Sequence, residues 1–122
     1  MNNRYARQSL FLGENTQQCI QQAKVLIIGA GALGSASSEM LARAGIGHLT
    51  IVDRDYVEWS NLQRQQLYVE TDVHHKLPKA IAAKQRLEQI NSEIIVEGIV
   101  KDVHGLNIET LMQGHMIVVD AT

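Results

Sequence analysis

The stretch from Lys24 to Arg64 constrains this chain more than any other. It opens on the apolar run Val25-Leu26-Ile27-Ile28, which reads as a parallel strand buried on both faces. Gly29-Ala30-Gly31-Ala32-Leu33-Gly34 follows at once, and a helical pattern begins inside it. Leu33, Ala36, Met40, Leu41 and Ala44 recur at three- and four-residue spacing, which predicts one shared apolar face. Gly45-Ile46-Gly47 should end that helix, and the run 48–52 reads as a second strand closing on Asp53. Strand, glycine turn, helix, strand and acid form the layout of a nucleotide-binding unit.

The spacing has a physical reading. Gly29 permits a tight turn, and Gly31 lets backbone N–H groups approach a phosphate with no Cβ in the way. Gly34 lets the helix lie close on the strand. The helix start, near Ala32, offers unpaired N–H donors and a partial positive charge to an anion. Asp53, 19 residues beyond Gly34, can accept hydrogen bonds from ribose hydroxyls. A turn needed only for tight packing would also explain the glycines, but it gives no reason for the acid.

The residues that follow narrow the choice. Asp53-Arg54-Asp55-Tyr56-Val57-Glu58-Trp59-Ser60-Asn61-Leu62-Gln63-Arg64-Gln65 resembles the nucleotide site of the ThiF/MoeB/HesA family, relatives of ubiquitin-activating enzymes. Arg4-Tyr5-Ala6-Arg7-Gln8 and Leu77-Pro78-Lys79 look like two further blocks of that family, in the same order. The likeness runs from about Arg4 to Thr122. It implies ATP with magnesium as cofactors, and transfer of AMP to the C-terminal glycine of a ubiquitin-like sulfur-carrier protein of thiamine or molybdopterin biosynthesis. It further implies a homodimer in which Arg7 reaches the triphosphate of the partner subunit. Asp53 would hold the ribose, Asn61 and Gln63 would order the phosphates, and Arg64 and Lys79 would bind them. Gly29, Gly31, Ala32, Gly34, Asp55 and Ser60 complete the expected nucleotide set.

Composition removes other classes. A net charge of −2 gives no basic face for nucleic acid or an anionic membrane. No apolar run approaches the roughly 18 residues of a spanning helix. The single cysteine, Cys19, cannot form an internal disulfide and fits a reducing cytoplasm. It should serve packing, since no base or second thiol adjoins it in sequence. His74 and His75 have no third ligand at metal spacing, so no metal-binding side chains are expected.

The rest of the chain fills in an α/β fold. Residues 1–3 should be a loose end, and 1–23 a helical arm in which Leu10-Phe11-Leu12 is an apolar anchor. Ser60 and Gln63 have capping-box spacing and should aim Asn61 and Arg64 in a fixed direction. Trp59 should prop this loop from beneath, and 67–77 should be a loop over the site. Pro78 suits the first turn of a helix whose face is Ala80, Ala83, Leu87 and Ile90. Lys79 there faces the positive end of the helix dipole, a conflict that a bound triphosphate would remove. A third strand over 93–100, a helix over 106–113 and a fourth strand over 116–119 follow, closing on Asp120.

The expected architecture is therefore a single Rossmann-like, doubly wound, mostly parallel sheet over 24–122, with helices on both faces. The resemblance also implies a second half after the fourth strand. That half would carry a magnesium-holding Asp, a carrier groove and, in many members, a zinc site. The expectation is a nucleotide-binding half that is inactive alone. Two rivals stay open at this point: half of an NAD-dependent oxidoreductase, which shares the glycines and Asp53, and a non-catalytic scaffold.

Overall fold

The computed structural model describes residues 4–122, so the loose end expected over 1–3 lies outside the described residues. Two short helices come first, α1 (Ala6–Leu12) and α2 (Glu14–Gln22), and lead into β1 (Lys24–Ile28). Then follow α3 (Ala32–Ala44), β2 (His48–Asp53), a 3-10 turn (Trp59–Asn61), α4 (Glu70–His74) and α5 (Lys79–Ile90). β3 (Ile95–Val100), α6 (Ile108–Met112) and β4 (Ile117–Asp120) complete the order. All three strand pairings are parallel, and the sheet runs β3-β2-β1-β4. This is the Rossmann-like α/β sheet the alternation of strands and helices predicted.

The period of two along β1 and β2 divides the core. Val25, Ile27, Leu49 and Ile51 face one way and pack with Ala83 and Leu87 of α5. Leu26, Ile28 and Val52 face the other way and meet Ile108 and Leu111 of α6. Because neither face is open to water, the strands need no polar alternation, which is why they read as continuous apolar runs. Each fully buried Leu or Ile here stabilises the fold by about 1.5–3 kcal/mol.

Several local expectations are overturned. The buried side of α3 is Gly34, Ser35, Ser38 and Ala42, whereas Leu33 and Met40 are each 68% exposed. Close approach of α3 to the sheet selects small residues, and their hydroxyls are satisfied locally: Ser35 Oγ donates to the Ala30 carbonyl and Ser38 Oγ to the Ser35 carbonyl. The larger apolar side chains are left outside. Leu10 and Phe11 do not anchor α1, being 87% and 89% exposed. Cys19 is exposed, and the residue α2 buries is Gln17, held by Gln8.

What does tie down the arm is polar and aromatic. The Tyr5 ring lies where a Gly45 side chain would be, with a Cβ there only 2.6 Å from it. Gly45 ends α3 at φ +93°, which glycine adopts without strain. Buried Asn91, just past α5, donates to the Tyr5 hydroxyl at 2.9 Å and to the Ala42 carbonyl at 2.8 Å. Arg4 donates to Asn91 Oδ1 and pairs with Glu93 at 3.0 Å.

Candidate functional site

Strand order β3-β2-β1-β4 reverses direction between β1 and β4, and clefts of such sheets open at the carboxyl ends of the strands around that point. A cavity of about 360 Å³ lies there, lined among others by Gly29, Gly31, Asp53, Asp55, Lys79 and Asp102. Its floor is the glycine turn. Gly29 has φ +100° and donates its N–H to the Val52 carbonyl at 2.8 Å, and a Cβ on it would sit 2.7 Å from the Ala121 carbonyl oxygen. A Cβ on Gly34 would lie 1.9 Å from the Gly29 carbonyl oxygen, so α3 packs directly on the turn. Gly31 differs: the nearest atom to its absent Cβ is Gln65 Nε2 at 3.8 Å, so the space above it is open.

Gly31 is also the N-cap of α3 and has no side chain to cap the helix. The first N–H groups, from Ala32 onward, therefore lack intrahelical partners beside the open space over Gly31. Asp53 braces this arrangement. Its Oδ2 accepts the Ala30 N–H at 2.8 Å and its Oδ1 the Asp55 N–H at 2.7 Å. A carboxylate has about four acceptor positions, so capacity for ribose hydroxyls remains.

Lys79 is brought in by pairing of two loops. Val57 N–H donates to the Leu77 carbonyl, Tyr56 and Pro78 form an antiparallel bridge, and Lys79 N–H donates to the Asp55 carbonyl at 2.8 Å. The Lys79 side chain is 8% exposed, and its Nζ stands 4.0 Å from Asp55 Oδ2. The dipole conflict at the start of α5 is thus eased by Asp55 within the fold itself.

Other expected residues stay outside the cavity lining. Arg64 is exposed and donates from its guanidinium to the Ser60 carbonyl at 3.0 Å. Ser60 and Gln63 are exposed too, and Ser60 caps nothing. The reciprocal turn is instead Glu58–Asn61, with Glu58 N–H donating to Asn61 Oδ1 and Asn61 N–H to the Glu58 carbonyl. The cap falls two residues early because Asn61, 8% exposed, can close the turn from inside. Trp59, within that turn, does not prop the loop from beneath, being 55% exposed and edge-on to His74 at 5.3 Å. Arg7 is exposed on α1.

Residues that sequence reasoning missed complete the picture. Lys101, Asp102 and Val103 line the cavity from the loop after β3, and Arg54 pairs with Asp102 across its mouth at 3.5 Å. Their signal was positional: they follow an apolar strand at its carboxyl end. The segment 67–77 is not simply a loop, since it contains α4 and buries Leu67 and Tyr68. The Tyr68 hydroxyl donates to the Ala30 carbonyl at 2.5 Å, tying the glycine turn from above. Burial pushes the Tyr68 phenol well above its ordinary range, and the Asp53 charge adds to that. Asp120, at the end of β4, accepts from the Thr122 hydroxyl and N–H, which hold its carboxyl below the usual value. Among the described residues, no group of three or more His, Cys, Asp or Glu side chains is placed to hold a metal.

Comparison with known proteins agrees with this geometry. The chain is 56% identical to the sulfur carrier protein ThiS adenylyltransferase of Bacillus subtilis, over 99% of this chain and 37% of that protein. It is 37% identical to the molybdopterin-synthase adenylyltransferase of Salmonella typhimurium, over 98% of this chain and 48% of that one. The chain thus spans between about a third and a half of these relatives. Among solved structures, the E. coli tRNA N6-threonylcarbamoyladenosine dehydratase TcdA in complex with ATP superimposes with a TM-score of 0.91. That match has 32% identity and covers 98% of this chain and 49% of TcdA. The ThiF family model matches residues 5–122, and the chain belongs to the ThiF family.

Proposed function

We propose that this chain binds ATP and serves as the nucleotide-binding half of an adenylyltransferase acting on a ubiquitin-like sulfur-carrier protein. The observation that carries the reading is Lys79, a buried cation held by Asp55 at the edge of an open glycine cradle. A dinucleotide fold needs the glycines and Asp53 but has no use for that ammonium group, so the oxidoreductase alternative is disfavoured. The relative that shares 56% identity is named for the carrier ThiS, which favours a carrier protein as substrate over the tRNA named for TcdA.

In the reaction, a carrier's terminal carboxylate is the nucleophile. Its ordinary pKa is about 3.5, so it is anionic at neutral pH and needs no general base. It attacks the α-phosphorus of ATP, a new C–O–P linkage forms, and the bond to pyrophosphate breaks. The obstacle is an anion approaching a polyanion. Lys79 and the uncapped N-terminus of α3 offset that repulsion and stabilise charge on the phosphates. Asp53 orients the ribose. Arg64, whose present partner is only a carbonyl on its own turn, swings to the phosphates when they arrive. Arg7 acts in the site of a second copy within a homodimer.

ATP fits the cradle because the space over Gly31 is open and backed by free N–H groups. A protein-held magnesium ion fits less well. Asp53 braces two backbone N–H groups, Asp55 faces Lys79, and the described residues by themselves form no magnesium site. A cytoplasmic setting accords with the lone exposed cysteine.

Isothermal titration tests the ligand. ATP should bind at least about tenfold more tightly than NAD, a gap of about 1.4 kcal/mol. NAD binding tighter than ATP would return the case to the oxidoreductase.

A further inference from the structure

We propose that Gln65 binds the nucleotide directly, donating a hydrogen bond from Nε2 to a phosphate oxygen seated over Gly31; this rests on the ATP reading above. Gln65 is 3% exposed, yet its carboxamide is not employed in holding the fold: Oε1 is buried with no hydrogen-bond partner among the described residues. An orphaned buried carbonyl oxygen costs about 1–3 kcal/mol, which an apolar side chain of the same length would avoid.

The backbone of Gln65 is held from both sides. Gln65 N–H donates to the Asn61 carbonyl at 2.9 Å, and the Gln65 carbonyl accepts the Tyr68 N–H at 3.3 Å. The residue is thereby clamped between the 3-10 turn and the tyrosine that ties down Ala30. From there Nε2 reaches toward Gly31, 3.8 Å from the point a side chain at that residue would occupy. Gly31 lines the cavity and is the uncapped N-cap of the 13-residue α3. The amide therefore stands beside the uncapped helix N-terminus, one donor from a side chain next to others from the backbone. A neutral amide suits this place. It donates to phosphate without the cost of burying a cation.

Two substitutions separate binding from folding. Gln65→Met keeps length and removes both the donor and the orphaned oxygen, while Gln65→Glu keeps shape and sets a carboxylate toward the phosphates. Titrations of the protein with ATP and with adenosine isolate the phosphate contribution, and thermal melts report the fold. The expected result for Gln65→Met is ATP binding weakened about tenfold or more, adenosine within about twofold of wild type, and an equal or higher melting temperature. Gln65→Glu should weaken ATP further and also spare adenosine. An unchanged ratio of ATP to adenosine affinity in both variants would overturn the role of Gln65. So would a lower melting temperature with both ligands weakened equally, the pattern of a purely structural residue. If the wild-type protein itself binds ATP no better than adenosine, the ATP reading fails before Gln65 is at issue.

Discussion

The floor of the cleft and its rim are built in different ways. On the floor, Gly29, Gly34, Asp53, Asp55, Lys79 and Tyr68 interlock, each held by backbone hydrogen bonds or by contact too close for a side chain. On the rim, Ser60, Gln63 and Arg64 are exposed, and the one hydrogen bond shown for the Arg64 guanidinium returns to its own turn, while Arg7 is exposed on α1 and lines no part of the cavity. The floor is held together by the chain's own groups. The rim has the chemistry of phosphate binding without its geometry, so its order must come from ligand or from a second copy. Substitutions should divide accordingly: floor changes should damage folding and binding together, and rim changes binding alone.

The largest effect should follow Gly34→Ala. Its Cβ would fall 1.9 Å from the Gly29 carbonyl oxygen, which no rotamer change can relieve. The turn or α3 must move, at a cost of about 3 kcal/mol or more in a denaturation measurement. A stability within about 0.5 kcal/mol of wild type would mean that the floor is far more pliant than its contacts imply.

Next in size is the contrast between the two cations that meet phosphate in this reading. Lys79→Ala should lower carrier-dependent exchange of pyrophosphate into ATP by about a hundredfold, some 2.7 kcal/mol, in the active assembly. It should also lower stability, since Asp55 loses its partner. Arg64→Ala should lower exchange by about tenfold and leave the melting temperature unchanged, because its contacts are at the surface. Equal loss of stability in both variants would erase the distinction between floor and rim.

Arg7 tests whether the rim is completed by a second copy. Mixed subunits carrying Arg7→Ala and Lys79→Ala should be more active than either variant alone, because each mixed dimer would contain one undamaged site. If the mixture is no more active than either variant although subunits demonstrably exchange, Arg7 does not work across an interface.

The smallest effect belongs to Tyr68. Tyr68→Phe should cost about 1 kcal/mol by removing the bond to the Ala30 carbonyl. The pH dependence has a definite sign. With the folded phenol raised above its unfolded value of about 10, its stabilising contribution is intact below that pH. Above it, the unfolded chain releases the proton first, and stability falls. The wild-type protein should therefore lose stability from about pH 10 upward more steeply than Tyr68→Phe. Parallel alkaline melts would place that loss elsewhere.

The two regions also differ in how legible they were. The cradle could be read from Gly29, Gly31, Gly34 and Asp53 because its requirements are local: a positive φ, an absent Cβ, an acid at a strand end. Lys79 was legible as a misfit at a helix start, though its partner Asp55 was not, since 24 positions separate them in a chain of 122. Misreadings arose where two local solutions compete. Ser60 and Gln63 have capping spacing, but Asn61 closes the turn with Glu58 instead. Leu33 and Met40 have helical spacing, but small residues win the buried side of α3 because the helix lies so close to the sheet.

By itself the sequence determined the order of elements, the parallel sheet and the glycine cradle after β1, because apolar runs, glycine conformations and helix ends obey short-range rules. Only the tertiary structure decided what meets the cradle from far along the chain. Tyr68 reaches Ala30 across 38 positions, Gln65 reaches Gly31, and Asp102 meets Arg54 at the cleft mouth. Those meetings depend on strand order β3-β2-β1-β4, which is set by the burial of both sheet faces together and by no single segment.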